Sequence, residues 1–101
     1  MAIVVRSPQA ELDLEELAEY IARRQPRIAL LFLYAAEKAF ALHADFPEIG
    51  GKWTSKAPRL ADLRVWRVPG FRHHLIFYRI VGEEVQVVRV LWGTRDLEKL
   101  L

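Results

Sequence analysis

The sequence contains no cysteine, which excludes disulfide bridges and thiolate metal sites. It has only three histidines, His43, His73 and His74, and no cysteine or carboxylate spacing supports them as ligands, so we expect neither a metal nor another cofactor. No run approaches the about 18 consecutive apolar residues that a membrane-spanning helix needs. The first residues lack the apolar core and cleavage site of a signal peptide. We therefore expect a soluble, cytoplasmic protein with no membrane contact.

Apolar residues make up 52% of the 101-residue chain, a proportion that excludes disorder over most of its length. The length suits one domain with its own core, and we expect residues 1–101 to form it. The apolar fraction is slightly high for a small monomer. Apolar surface that a chain cannot bury by itself usually marks the binding site of a partner.

Charge is divided unevenly, although the net charge is only +2. Residues 1–50 contain five Lys and Arg against eight Asp and Glu, and residues 51–101 contain ten against five. A basic half is typical of a surface that meets an anionic partner. The alternative is the chance unevenness of a small domain.

Hydrophobic periodicity and turn residues predict the element order β-α-α-β-β-β-α. The predicted elements are a strand at residues 2–6, helices at about 8–24 and 26–44, strands at 63–68, 73–80 and 85–92, and a last helical turn at 94–101. Ser7 and Pro8 suit the start of the first helix, because serine can cap it and proline lacks an amide hydrogen that would be unpaired there. This order is typical of an α+β fold in which a helical hairpin packs on a three- to four-stranded antiparallel sheet.

The second predicted helix is apolar around most of its circumference. A sheet can cover one side of it, and the first helix can cover another through Leu14, Leu17 and Ile21. We expect the remaining apolar side chains to form a patch that binds another chain, with self-association as the alternative. The residues expected in this patch are Leu30, Leu33, Tyr34 and Phe40.

The strand register is predicted from a two-residue turn at residues 82–83. This turn would place Tyr78 opposite Val87 and Ile76 opposite Arg89. Because adjacent residues of a strand alternate between faces, one face would then meet the helices and the other would carry Arg89. The residues expected on the helix-facing side are Leu75, Phe77, Val88 and Val90.

Arg89 within that strand needs an anionic partner or water, because burying an unpaired charge is costly. We expect either an internal ion pair with a carboxylate or a sheet face that water reaches. Asp62 and Asp96 are the candidate carboxylates, and Arg95 beside Asp96 follows the strand exit. Arg89, Arg95 and Asp96 are therefore expected to form a structural ion pair or a surface that contacts a macromolecule.

Further arginines and two histidines belong to the predicted sheet, interleaved with Trp66 and Trp92. Such a set suits phosphates and unstacked bases, although solvent-facing arginines alternating with core residues would produce the same pattern. No serine nucleophile elbow, glycine-rich phosphate loop or HExxH motif is present. His73 or His74 could act as a general base, but neighbours on a strand face opposite ways and cannot serve one substrate atom together.

Six short motifs occur in a fixed order along the chain. They are the Ser7-Pro8 start with the Asp13-Leu14 pair, Pro47-x-x-Gly50, Leu63-Arg64, Phe77-Tyr78, Arg89-Val90-Leu91 and Arg95-Asp96. Together and in this order they resemble the RelE/ParE superfamily of toxins from bacterial type II toxin–antitoxin modules. The likeness extends over almost the whole chain.

The resemblance implies a helical hairpin against a twisted antiparallel sheet and an antitoxin partner, which we expect to be ParD-like, encoded by the adjacent gene and bound at the apolar patch. ParE-like members inhibit DNA gyrase, whereas RelE-like members cleave messenger RNA in the ribosome. The tail after Arg95 has neither the tyrosine nor the histidine that RelE-like nucleases usually carry, which favours a ParE-like gyrase inhibitor. The alternatives are a ribosome-dependent endoribonuclease and a non-toxic binding module with the same fold.

Under the ribonuclease alternative, an arginine would hold the scissile phosphate and a histidine would act as the base. The candidate residues for these roles are Arg64, Arg72, His73, His74 and Arg95.

Overall fold

Residues 1–93 and 97–101 are described by the structure, a computed structural model. Its helices are α1 (Pro8–Ala22), α2 (Pro26–Asp45) and α3 (Leu97–Leu100). Its strands are β1 (Ile3–Arg6), β2 (Gly51–Lys52), β3 (Arg64–Val68), β4 (Phe71–Val81) and β5 (Glu84–Trp92). None of the described helices is long and apolar enough to span a membrane. The predicted α+β class is confirmed, and residues 94–96, at the start of the predicted last helical turn, lie outside the described residues.

The start of α1 depends on Ser7, as the sequence predicts. The Ser7 hydroxyl oxygen accepts a hydrogen bond from the Ala10 amide at 2.9 Å and donates one to the Val88 carbonyl at 2.8 Å. Pro8 occupies the first helical turn, where an amide hydrogen would have no helical partner. One hydroxyl therefore both caps the helix and ties it to β5.

α2 buries a stripe of residues spaced by four, Phe32, Ala36 and Phe40, in the core between the helices and the sheet. Phe40 is only 3% exposed, and the Arg6 guanidinium lies 4.6 Å from the centre of its ring. The prediction that Phe40 belongs to an exposed patch is therefore wrong. The helical period of 3.6 residues turns it to the same side as Phe32.

The five strands form one sheet in the order β1-β5-β4-β3-β2. β3, β4 and β5 make the antiparallel meander that the sequence predicts. The sheet differs from the expected three or four antiparallel strands in two ways: β2 adds a strand, and β1 pairs with β5 in parallel. Parallel neighbours need a long connection, and the helical hairpin together with β2, β3 and β4 supplies it.

The register of β4 and β5 changes at a β-bulge. From the turn as far as Val87 the pairing is as predicted. Phe77 then pairs with Arg89, so that Val88 is an extra residue without a partner in the ladder. The predicted pair of Arg89 with Ile76 is therefore wrong by one residue. A bulge cannot be recognised within a run of apolar residues, because such a run shows no alternation that the extra residue would interrupt.

Both faces of the sheet are buried. The strand residues that pack with α1 and α2 include Ile76, Tyr78, Val85, Val87 and Val90. On the second face, Phe77 and Leu91 pack with Leu60 and Leu63 from the segment before β3, and α3 lies against the same cluster. The sheet is thus the middle layer of the fold rather than its outer wall.

The residues on the helix-facing side of the sheet are not the ones that the sequence predicts. Of the four residues predicted there, only Val90 packs with the helices, whereas Leu75, Phe77 and Val88 belong to the second cluster. Alternation separates the two faces of a strand, but it does not say which face meets the helices when both are apolar. The consecutive apolar residues of β4 and β5 are the signal of a sheet covered on both sides.

Candidate functional site

Asp13 and Arg89 form a bidentate ion pair between α1 and β5. Arg89 Nε donates to Asp13 Oδ2 at 2.8 Å, and Arg89 Nη2 donates to Asp13 Oδ1 at 2.9 Å. The same carboxylate accepts hydrogen bonds from the Val90 amide at 3.0 Å and from Gln9 Nε2 at 3.1 Å. Asp13 is 5% exposed. Four donors therefore hold one buried carboxylate in a fixed orientation.

The carboxylate that pairs with Arg89 belongs to Asp13 of α1, and not to either candidate from the sequence, Asp62 or Asp96. Asp62 forms no ion pair within residues 1–93 and 97–101, and Arg95 and Asp96 lie outside these ranges. The hydrogen bonds to Asp13 raise the pKa of Arg89, which keeps its guanidinium charged. Arg89 Nη1 also donates to the Leu100 carbonyl, so the ion pair is linked to α3 as well.

Tyr78 closes the segment between α2 and β2. Its hydroxyl donates to the Pro47 carbonyl at 2.7 Å and accepts from the Gly50 amide at 2.9 Å. A Cβ on Gly50 would lie 2.5 Å from that hydroxyl oxygen, so only glycine fits there. Arg64 Nη1 donates to the carbonyls of Glu48 and Gly50 at 3.1 and 2.9 Å. Burial raises the pKa of Tyr78, which therefore stays protonated and able to donate.

His43 lies beside Tyr78 and is fully buried. Its ring stacks on that of Tyr78 with centroids 4.4 Å apart and meets Trp66 edge-on at 6.0 Å. Neither ring nitrogen has a hydrogen-bond partner in the part of the chain that the structure describes. Burial lowers the pKa of His43 to about 4, so the imidazole is neutral near pH 7. The surroundings of His43 suit packing and not proton transfer.

His73 and His74 have different surroundings on β4. His74 packs against Phe32 and Phe71, with ring centroids 4.9 and 5.9 Å away, and burial, followed by the nearby His73, lowers its pKa. His73 is exposed and meets Trp92 edge-on at 6.5 Å. In the described ranges, no group of three or more His, Cys, Asp or Glu side chains could hold a metal ion.

The candidate ribonuclease residues do not meet in one site. Arg64 pairs across the sheet with a residue four positions along β4 from His74, a separation of about 13 Å. Arg72 is exposed at the start of β4, next to His73, and Arg95 lies outside the described residues. The structure therefore leaves Arg64 at the opposite end of the β3–β4 hairpin from the two histidines.

Apolar side chains are exposed on the outer side of α2. Leu30 is 69% exposed, Tyr34 is 62% exposed and Leu31 is 50% exposed, while Leu33 is 36% exposed at the margin. Leu31, which was not among the residues predicted for the exposed patch, therefore belongs to it, whereas Phe40 does not. We refer to Leu30, Leu31, Leu33 and Tyr34 as the α2 apolar face.

Sequence reasoning assigned no packing role to Asp13, His43 or Tyr78. Asp13 carries the clearest signal, because it lies between Ala10 and Leu14 on the apolar stripe of α1, where an acid needs a partner. His43 likewise follows the buried stripe of α2. Tyr78 lies in a continuous apolar run, and nothing near it in sequence indicates the carbonyl that its hydroxyl meets.

Comparisons with known proteins agree with this architecture. The family model for the ParE toxin of the type II toxin–antitoxin system, parDE, matches residues 4–97. No curated protein sequence matches the chain. Among solved structures, the chain is similar to the chromosomal ParDE TA system from P. aeruginosa, with 17% sequence identity and a TM-score of 0.76. This match covers 93% of this chain and 98% of the other, and it shows the same fold.

Replacing Asp13 with Asn should destabilise the fold, because the Arg89 charge would remain in its half-buried place without a carboxylate. Removing one partner of a buried ion pair costs about 3–5 kcal/mol, and we expect roughly 3 kcal/mol here, since the Arg89 side chain is 19% exposed. Urea unfolding measures the change. Glu11→Gln on the same helix breaks an exposed pair with Arg6 and should cost less than about 1 kcal/mol. Equal losses in both variants would contradict this role of Asp13.

The buried His43 should make stability depend on pH. Its pKa is about 4 in the folded chain, against 6.5 for an ordinary histidine, so the unfolded chain takes up the proton first as pH falls. The stability that a neutral His43 contributes is complete above about pH 6.5 and is lost progressively as pH falls toward about 4. His43→Phe keeps a ring beside Tyr78 and removes this titration.

Between about pH 4 and 6.5, the free energy of unfolding should depend less steeply on pH in His43→Phe than in the wild type. The two slopes should differ by about 1.4 kcal/mol per pH unit. Urea unfolding across the window measures both slopes. Trp66→Phe is the control, because it alters the same aromatic cluster without removing a titratable group and should leave the slope unchanged. Parallel curves for the wild type and His43→Phe would refute the assignment.

Proposed function

Because the chain belongs to the ParE toxin family of type II toxin–antitoxin systems, we propose that it inhibits DNA gyrase and that a cognate, ParD-like antitoxin neutralises it. Residues 1–101 would act as a single toxin domain. Inhibition would depend on contact with the target and not on a reaction that the toxin catalyses.

The separation of the candidate catalytic groups is the observation that supports contact inhibition over RNA cleavage. In-line attack by a 2′-hydroxyl needs a general base and a cation that holds the phosphate. Arg64 is bonded to two backbone carbonyls, and His74 packs against Phe32 with a lowered pKa. Arg64 is therefore held by hydrogen bonds and His74 by aromatic packing, and the two groups do not form a base–cation pair.

Two assays on the purified protein separate the possible targets. We expect loss of gyrase supercoiling activity in the first assay and intact messenger RNA in the second, a ribosome translation assay. Toxin that has been mixed with its antitoxin is the control and should leave supercoiling intact. Messenger RNA cleaved in the ribosome would instead identify a RelE-like nuclease, and inactivity in both assays would identify a non-toxic binding module; either result would overturn the proposal.

The α2 apolar face supports the antitoxin part of the proposal. Exposed apolar clusters usually mark protein interfaces, and Leu30 and Tyr34 have the four-residue spacing that suits an amphipathic segment laid along the helix. Cations border this face: Arg27 precedes Leu30 by three residues, and Lys38 Nζ lies 5.2 Å from the centre of the Tyr34 ring. An acidic amphipathic segment would meet both features, and opposite charge would speed the encounter.

Leu30→Asp should weaken the complex with the product of the adjacent gene, because it buries a carboxylate in an apolar contact. We expect affinity to fall by at least about 30-fold, the equivalent of about 2 kcal/mol, and co-elution on size exclusion to be lost. Phe46→Asp changes a side chain of similar exposure, 60%, just beyond α2 and should retain the complex. Equal losses, or a toxin dimer that Leu30→Asp converts to a monomer, would reject this surface as the antitoxin site.

A further inference from the structure

A hollow of about 620 Å³, which we call the β3 hollow, lies beside the outer part of β3, and the proposed function does not involve it. Its lining is apolar except for the exposed Arg67. Trp53, Val65 and Leu75 belong to the cluster on the second face of the sheet, so the hollow is on the side away from the helical hairpin. The residues that line it are Trp53, Val65, Trp66, Arg67, Pro69 and Leu75.

The β3 hollow is open because β2 is short and contains glycine. β2 pairs only with Arg64 and Val65 of β3, which leaves the last three residues of β3 without a neighbour on that side among the described strands. Gly51 is opposite Val65, and residues paired in this way share a face of the sheet. A Cβ on Gly51 would meet nothing within 4 Å. The side chain that would cover Val65 is therefore missing.

Arg67 presents a pair of backbone groups at this open edge of the sheet. The Leu63 carbonyl accepts a hydrogen bond from the Trp53 amide, and two residues further along, Val65 pairs with Gly51. Alternation directs the Arg67 amide and carbonyl the same way, past the end of β2. Backbone groups at an open edge are a template for a further strand. An extended peptide could pair with both of them.

The charge around the β3 hollow favours an acidic partner. Arg67 forms no ion pair within residues 1–93 and 97–101, and no acid lines the hollow. Residues 63–81 contain four arginines and no Asp or Glu. In an added strand, a carboxylate opposite Arg67 would form a cross-strand pair of opposite charge. Tryptophan and arginine are also the residues that most often anchor protein interfaces.

We propose that the β3 hollow and the open edge of β3 bind an extended acidic peptide segment of a partner protein, which adds a strand beside Arg67. One carboxylate of the peptide pairs with the Arg67 guanidinium. A large apolar side chain two residues away lies on the same face and fills the hollow over Val65. The site goes beyond the proposed function, because it needs neither gyrase nor the antitoxin contact on the α2 apolar face.

A phage-displayed library of random eight-residue peptides, selected on the full chain, tests the site. Peptides that also bind Gly51→Leu are removed, because a leucine there fills the hollow. This step also removes peptides that bind the α2 apolar face, which Gly51→Leu does not change. The variant should fold, since a Cβ at Gly51 meets no neighbouring atom and its φ is not positive. We expect the remaining peptides to carry Asp or Glu two positions from a large apolar residue.

Two measurements on a selected synthetic peptide test the contacts with Arg67. Arg67→Glu should reduce the affinity at least about 10-fold, because the peptide carboxylate then meets a like charge. Fluorescence anisotropy with the labelled peptide measures this loss. In the wild-type complex, the Arg67 amide hydrogen should exchange with solvent at least about 10-fold more slowly, because it gains a hydrogen bond to the added strand.

Arg24→Glu is the matched control, because it reverses the charge of an exposed arginine just beyond α1. It should change the affinity by less than about 2-fold near 0.1 M salt if the contact with Arg67 is local. Equal losses in Arg67→Glu and Arg24→Glu would overturn the proposal. So would selected peptides without an acid, the absence of any peptide that distinguishes the wild type from Gly51→Leu, or an unchanged exchange rate at Arg67. A dimer of the chain that Gly51→Leu converts to a monomer would assign the hollow to a second copy instead.

Discussion

Asp13 connects the layers of this fold through four hydrogen bonds to one carboxylate, from Arg89 twice, from the Val90 amide and from Gln9. Through Arg89 the same interaction extends to the Leu100 carbonyl of α3. A buried ion pair contributes little net stability relative to apolar packing, but the loss of either partner is costly. The pair therefore acts as a constraint on orientation, since α1, β5 and α3 must be placed so that neither charge is left alone.

The bulge at Val88 makes this ion pair compatible with the core. Val87 and Val90 both pack with the helices, although they are three residues apart and strict alternation would separate them. The extra residue restores the apolar side chain to the core at Val90 and re-aims Arg89 toward Asp13, as bulges commonly do for a single side chain. Its carbonyl also accepts the Ser7 hydroxyl, so the bulge and the start of α1 are joined.

Exposed apolar side chains and exposed cations are concentrated in different elements of the fold. Exposed leucines and a tyrosine lie on α2, whereas five exposed Lys and Arg lie within residues 50–80. Acids are used differently: those of α1 and α2 make the ion pairs seen in the described ranges.

The sequence by itself determined the two long helices, the meander of β3, β4 and β5, the order of these elements and the family, because caps, turns, apolar periodicity and short motifs are local properties of the chain. It did not indicate β2. Ser7 and Pro8, for example, mark the start of α1 through a cap and a missing amide hydrogen, which involve no distant residue. Only the tertiary structure decided that Arg89 meets Asp13, that Phe40 is buried while Leu31 is exposed, and which face of β4 meets the helices. Asp13 and Arg89 lie 76 residues apart, and several acids could serve that arginine equally well. Which acid meets Arg89 depends on how distant segments pack together, and a local sequence pattern carries no information about that packing.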